Sequence, residues 1–138
     1  MLTATQEKKE IVLKNKTKIL LVDDNEIIRI YFRDVFWIHG LEDKYDLSIT
    51  ESVEKAEKLI DDPNTRPEII FCGLVMPLRE GDKMVITPRA GFSLLEKIKS
   101  DPELKKIKVI IFSGHDEKKY RDQARALGAD SFLAKREN

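Results

Sequence analysis

Residues 18–25 read KILLVDDN, so that two carboxylates follow directly after four aliphatic residues. A continuous run of Ile, Leu and Val is typical of a strand that is buried on both faces of a parallel sheet. Similar apolar runs recur along the chain, at residues 47–49, 69–72, 109–112 and 132–134. Together with residues 19–22 they predict five short strands.

Segments with a helical period separate these strands. The first carries an apolar stripe at Ile27, Ile28, Tyr31, Val35 and Ile38. The other three carry theirs at Val53, Ala56, Leu59 and Ile60, at Phe92, Leu94, Leu95 and Ile98, and at Tyr120, Ala124 and Leu127. Ser52 is placed to cap the second helix, and Gly128 to end the fourth. This alternation predicts an α/β fold with right-handed crossovers and a parallel sheet covered on both faces.

Length and charge narrow the class of protein. The 138 residues correspond to one domain. The 25 basic residues balance the 25 acidic ones, which argues against a nucleic-acid partner because such a partner calls for a positive surface. Cys72 is the single cysteine, so no disulfide within the chain is expected. No apolar run approaches the roughly 18 residues of a membrane helix, and the N-terminus lacks a signal-peptide core. We therefore expect a cytoplasmic domain without a membrane partner.

The residues just after each strand are the candidates for function, because ligands of parallel α/β sheets bind at the carboxyl ends of the strands. Asp23 and Asp24 offer hard oxygens suited to Mg²⁺; alternatively, one of them caps the helix that begins near Asn25. Ser113 is placed to donate its hydroxyl to a phosphate or to cap the helix that follows. Lys135 is either a cation aimed at an anion or an ordinary surface lysine.

Four segments, in this order, resemble the receiver domain of two-component response regulators. They are LLVDDNE at residues 20–26, PEIIF and the following MP within residues 67–77, VIIFSG at residues 109–114 and GADSFLAK at residues 128–135. The resemblance implies a flavodoxin-like, three-layer fold with strand order 2-1-3-4-5. It also implies transfer of a phosphoryl group from a sensor-kinase histidine to an aspartate, with Mg²⁺ bound. The implied partner is a sensor histidine kinase or another signalling protein, and a homodimer is compatible with this class.

The resemblance further implies roles for individual residues. The matching positions are Asp23, Asp24 and the backbone carbonyl of Val75 for the metal, Ser113 and Lys135 for the phosphoryl group, and Phe132 for the aromatic switch.

At the acceptor position the chain departs from the family. Receivers end the third strand with Asp-Leu-x-Met-Pro, whereas residues 73–77 here read GLVMP. Gly73 has no side chain to phosphorylate or to ligate a metal, so Mg²⁺ binding is expected to be weakened. Our interpretation is a pseudo-receiver, not an enzyme, that acts by protein–protein interaction. The alternative is an engineered or accidental substitution in an otherwise active receiver.

The segment after the third strand, residues 78–90, is longer than in the family. Alternation at Met84, Val85 and Ile86, between Gly81 and Pro88, predicts a small hairpin at the mouth of the site. We interpret it as a lid or a partner contact, with a mobile surface loop as the alternative.

The ends of the chain also differ from the family. The sequence stops at Asn138, which leaves no room for the fifth helix of receivers. Residues 1–16 form an extension before the receiver-like domain at residues 17–138, and residues 5–13 are expected to be helical with Thr5 as the cap. We expect this extension to cover the face that the fifth helix would occupy. A shortened chain or a second subunit are the alternatives.

Two other classes of α/β protein, a phosphatase and a cofactor-binding domain, are the alternatives to a receiver. A haloacid-dehalogenase-like phosphatase needs Asp-x-Asp after the first strand, which Asp23-Asp24-Asn25 does not supply. A flavodoxin-like cofactor-binding domain needs a loop rich in Ser, Thr and Gly at that place, and none follows the first strand.

Overall fold

The computed structural model describes residues 3–7 and 16–135. Seven strands are formed, β1 Thr17–Val22, β2 Tyr45–Thr50, β3 Ile69–Cys72, β4 Met76–Glu80, β5 Lys83–Thr87, β6 Lys108–Ser113 and β7 Ser131–Ala134. The long helices are α1 Glu26–Ile38, α2 Val53–Asp61, α3 Arg89–Ser100 and α4 Lys118–Ala126, and a 3₁₀ turn spans Leu41–Asp43. None of these helices is long and apolar enough to cross a membrane.

Five of the strands form one parallel sheet in the order β2-β1-β3-β6-β7. This confirms the predicted order, with β6 and β7 as the predicted fourth and fifth strands. On one face, the aliphatic side chains of β1, β3 and β6 pack with α2 and α3 in a single buried cluster. On the other face, the ring of Phe32 in α1 lies 5.2 Å from that of Phe71 and 5.6 Å from that of Phe112.

Helix α1 buries a different stripe from the predicted one. Ile28, Phe32, Val35 and Phe36 face the sheet, whereas Ile27, Tyr31 and Ile38 are 75%, 60% and 67% exposed. The prediction was therefore wrong for these three residues. Apolar residues occupy two sides of this helix, so periodicity alone does not distinguish the side that faces the core. We call the exposed set, which is Ile27, Ile30, Tyr31, Trp37 and Ile38, the outer face of α1.

The N-terminal cap of α2 and the C-terminal end of α4 are formed by the residues that the sequence predicts. The Ser52 side chain accepts a hydrogen bond from the Lys55 amide at 3.2 Å and caps α2. Gly128 follows the last turn of α4 with a φ of +97°, a left-handed conformation that glycine adopts without strain. Both predictions are confirmed.

The predicted hairpin is confirmed as the antiparallel pair β4–β5. Its strands are joined by Gly81 and Asp82, between the paired residues Glu80 and Lys83. Gly81 has a φ of +64°, as a two-residue hairpin turn requires at its first position. Leu78 packs against the core, which ties the hairpin to the body of the domain.

The N-terminal helical turn begins earlier than predicted. The Thr3 hydroxyl accepts from the Gln6 amide at 3.1 Å, and the Gln6 side chain accepts from the Thr3 amide at 2.8 Å. This is a capping box, in which the residue three positions after the cap completes the pair. Thr5 is therefore not the cap. Of the predicted helix at residues 5–13, residues 8–13 lie outside the described part of the chain.

Candidate functional site

The carboxyl ends of β1, β3, β6 and β7 bring the predicted site residues to one edge of the sheet. The hydrogen bonding between neighbouring strands continues for one residue beyond the ends of β3 and β7. The amide of Gly73 donates to the Val22 carbonyl at 2.8 Å, and the amide of Lys135 donates to the Ser113 carbonyl at 2.9 Å. Since these bonds fix the backbone, the side chains of the four loops meet above the same rim.

Asp23 is buried at this rim, with 1% of its surface exposed. Its Oδ1 accepts from the Asn25 amide at 2.9 Å, and the Arg29 guanidinium donates to its carbonyl at 2.9 Å. The cap of α1 is Asn25, whose side chain accepts from the Ile27 and Ile28 amides. The alternative in which an aspartate caps α1 is therefore wrong, and neither carboxylate is used to cap the helix.

Lys135 reaches across the rim to Asp23. Its Nζ lies 2.6 Å from Asp23 Oδ2 and 5.3 Å from the centre of the Phe112 ring. Oδ2 is buried and has no hydrogen bond of normal geometry, so the contact is a close ion pair and not an aligned hydrogen bond. Only 23% of the Lys135 side chain is exposed. The alternative of an ordinary surface lysine is wrong.

Asp24 stands beside this pair and points toward solvent. Partial burial of its carboxyl group raises the pKa of Asp24, and the negative charge of Asp23 raises it further. The positive charges of Lys135 and Arg29 act in the opposite direction. The two carboxylates therefore repel each other, and a cation placed between them would relieve this repulsion.

Gly73 follows β3 at the same rim, and the Met76 side chain fills the space that a side chain at position 73 would need. A Cβ atom on Gly73 would lie 3.1 Å from the Met76 Sδ and 3.3 Å from the Val22 carbonyl oxygen. Met76 is almost fully buried. The neighbouring Cys72 thiol is no substitute nucleophile, because burial, with a smaller effect of Asp23, raises its pKa to about 12.

Gly91 positions this backbone and was not predicted to matter. Its amide donates to the Leu74 carbonyl at 3.0 Å. A Cβ atom on Gly91 would lie 2.4 Å from the Gly73 carbonyl oxygen, which is impossible without movement of the backbone. The first turn of α3 therefore rests directly on the residues after β3. The sequence did contain one indication of this contact. A glycine inside a helix is unfavourable relative to alanine, so its presence suggests close packing at that point.

The remaining predicted residues surround the rim. Ser113 is buried, and its Oγ accepts from the His115 amide at 3.0 Å. It does not cap α4, whose cap position is Glu117. Val75 is half-buried after β3. Phe132 lies in β7, half-buried against the core, with the Arg121 guanidinium 5.1 Å from its ring centre.

The oxygen donors fit a divalent ion only in part. In the described part of the chain, no group of three or more His, Cys, Asp and Glu side chains is placed to hold a metal. Asp23, Asp24 and the carbonyl of Val75 are the residues that would hold Mg²⁺, and Asp23 Oδ2 has no hydrogen bond. The Lys135 ammonium, however, stands next to that oxygen. An ion would have to displace it.

A family model described as the response regulator receiver domain matches residues 19–138. The chain therefore belongs to the response regulator receiver family. Receiver domains are generally signalling modules of two-component systems rather than enzymes, and they interact with histidine kinases and other signalling proteins. They bind Mg²⁺ or Mn²⁺ at their acidic site. This membership does not favour a phosphatase or a cofactor-binding domain.

Solved receiver structures share the fold. The Mn²⁺-bound form of response regulator Rcp1 is 22% identical, covers 88% of this chain and 83% of its own, and gives a TM-score of 0.69. The signal receiver domain of a DNA-binding response regulator from Colwellia psychrerythraea is 22% identical, with 89% of each chain covered and a TM-score of 0.70. The chemotaxis protein CheY4 of Vibrio cholerae is 19% identical, with 89% of each chain covered and a TM-score of 0.69. A search of curated proteins found no match.

Proposed function

We propose that this chain is a pseudo-receiver, a receiver domain that acts in two-component signalling through protein–protein contact and is not phosphorylated at Gly73. The observation that carries the proposal is the position of Gly73 at the end of β3, on the same rim as Asp23, Ser113 and Lys135. This position supports the proposal because a residue at the end of β3 would have to supply the nucleophile, and glycine has no side chain.

Phosphoryl transfer to this rim would require a carboxylate that is free to attack in line with the leaving group. Gly73 offers only its backbone, and its amide is already bonded to Val22. The two oxygens of Asp23 face the Asn25 amide and the Lys135 ammonium. With an aspartate at position 73, Ser113 and Lys135 would hold the phosphoryl oxygens, Phe132 would respond as the switch residue, and Asp23, Asp24 and Val75 would hold Mg²⁺.

Restoring the acceptor tests this proposal. Wild-type protein and the Gly73→Asp variant are incubated with labelled acetyl phosphate and Mg²⁺, and Gly73→Asn serves as the matched control. We expect label only on Gly73→Asp, since Met76 is flexible enough to move away from the new side chain. Label on the wild-type chain would contradict the proposal, because it would require a substitute acceptor.

The outer face of α1 supports the contact role. It groups five large apolar side chains, and Trp37 is 70% exposed. A contiguous exposed apolar patch of several hundred Å² marks a contact site for another protein, and Trp and Tyr are frequent at the energetic centres of such contacts. We propose that a sensor histidine kinase or another signalling protein binds this face, with the exposed Met84 and Ile86 of the hairpin as a second contact.

Trp37 reports directly on this binding because it is the single tryptophan of the chain. Adding the histidine-bearing domain of a cognate kinase should shift its fluorescence to shorter wavelength, as the ring leaves water. A shift that depends only on the concentration of this chain would indicate a homodimer instead. An unchanged spectrum in both titrations, with the complex observed by another method, would exclude this face as the contact.

We also propose that residues 1–16 form an extension that covers the sheet beside α1. The capping box at Thr3 and Gln6 favours a helix that begins there. On that side of the sheet Leu133 is exposed and Phe112 is only partly buried. Removal of residues 1–16 should lower the melting temperature. An unchanged melting temperature would argue against this role.

A further inference from the structure

The ion pair between Lys135 and Asp23 stands where the acidic pair would take up a metal. We propose that the Lys135 ammonium is the permanent counter-ion of Asp23 and replaces the divalent metal at this site. This inference rests on the proposed function, since it describes how a receiver without an acceptor neutralises its acidic rim.

The first support is the burial of the pair. Asp23 is the buried carboxylate of the described chain, and its Oδ2 lies 2.6 Å from the Lys135 Nζ. Its Oδ1 is occupied by the Asn25 amide. Because the carboxylate of this pair is shielded from water, the attraction is stronger than in a pair of two exposed side chains. The chain therefore satisfies the charge of Asp23 by itself.

The second support is the anchoring of Lys135. Its amide donates to the Ser113 carbonyl, and its ammonium lies within cation–π distance of the Phe112 ring. These contacts direct the ammonium toward the rim. Gly73 presents no carboxylate there, so the lysine has no competing partner at the end of β3 and stays on Asp23.

The third support is the apolar filling beside Gly73. The Met76 side chain lies within 3.5 Å of the position that a Cβ atom of residue 73 would take, and it is almost fully buried. A bound Mg²⁺ usually keeps several water molecules. A thioether beside Gly73 offers these waters no strong hydrogen-bonding partner on that side of the rim, which favours the compact ammonium over a hydrated ion.

The consequence is competition between two cations for one oxygen. A divalent ion that approaches Asp23 must first displace Lys135, and it then stands close to a positive charge. Wild-type protein should therefore bind Mn²⁺ or Mg²⁺ weakly, and removal of the ammonium should strengthen the binding.

Calorimetric titration with Mn²⁺ tests this competition. We compare wild type with Lys135→Ala and with Lys135→Met, which keeps the aliphatic chain over Phe112. The matched control is Lys106→Ala, because this exposed lysine lies before β6, at the opposite edge of the sheet. We expect roughly ten- to hundredfold tighter binding for either Lys135 variant that folds, and the wild-type affinity for Lys106→Ala and Lys135→Arg.

Equal Mn²⁺ affinities for wild type and the Lys135 variants would overturn the inference. If neither variant folds, the wild-type titration decides, because binding as tight as micromolar would contradict a site occupied by Lys135, and absence of binding below millimolar Mn²⁺ would support it. The outcomes are distinct from those of the phosphorylation test. Tight metal binding without phosphorylation would overturn only this inference, whereas label on the wild-type chain would overturn the proposed function.

Discussion

At the carboxyl edge of the sheet, Asp23 is buried and paired with Lys135, while Asp24 beside them is exposed. The outer face of α1 begins only a few residues after Asp23, and it leaves large apolar side chains exposed. In the first region the buried carboxylate has its counter-ion within the chain, whereas the second region exposes apolar side chains to water. This difference is the one expected of the proposed pseudo-receiver, which would act through a surface contact and not through chemistry at the edge of the sheet.

The largest loss of stability is expected from Gly91→Ala, because the added methyl group would push α3 away from the backbone that follows β3. The new Cβ would lie 2.4 Å from the Gly73 carbonyl oxygen. The gain in helix propensity does not offset such a clash, so we expect the free energy of unfolding to fall by about 3 kcal/mol. Gly114→Ala is the matched control, because a Cβ there meets nothing within 4 Å. Urea denaturation measures both, and equal stabilities would contradict the packing described for α3.

The next prediction compares the stability cost of substitutions on the two sides of α1. Phe32→Ala removes a ring that contacts Phe71 and Phe112, and should lower the free energy of unfolding by about 3 kcal/mol. The neighbouring Tyr31→Ala removes an exposed ring and should change it by less than about 0.5 kcal/mol. If the two substitutions had the same cost in thermal or urea unfolding, the outer face of α1 would have to be packed in solution.

A double-mutant cycle measures the interaction energy between Asp23 and Lys135 at the carboxyl edge of the sheet. Asp23→Asn and Lys135→Met are measured singly and together, and we expect a coupling energy of about 2 kcal/mol for this largely buried pair. A coupling as small as that of exposed pairs, below about 0.5 kcal/mol, would mean that the two side chains separate in solution.

The smallest effect concerns a more exposed pair that serves as a reference. Lys99 Nζ lies 2.9 Å from Asp130 Oδ2. Burial alone would raise the pKa of Asp130, but the hydrogen bonds from Lys99 and the Val109 amide outweigh it and lower the pKa below its ordinary value of 3.8. Its stabilising contribution is therefore present above about pH 4 and is lost as the pH falls through the lowered pKa.

Asp130→Asn should accordingly reduce stability by less than about 1 kcal/mol near neutral pH. The difference from wild type should vanish in strong acid. Unfolding measured across this pH range checks the prediction, and a difference that grows toward low pH would contradict the assigned direction.

The sheet and the position of the site were predictable because buried parallel strands read as short aliphatic runs, and their carboxyl ends meet at one edge. The hairpin was predictable from Gly81 and the alternation after it. The buried side of α1 was not, since Phe32 and Tyr31 are both aromatic and only the sheet decides which is covered. The pairing of Lys135 with Asp23 and the contact of Gly91 with Gly73 depend on distances between remote segments, which no local pattern encodes.

The mass of the intact wild-type protein, measured after incubation with acetyl phosphate and Mg²⁺, tests the central claim most directly. We expect an unchanged mass for the wild-type chain and a phosphorylated species for Gly73→Asp under the same conditions. A phosphorylated wild-type chain, with the modification mapped to any residue of the rim, would contradict it.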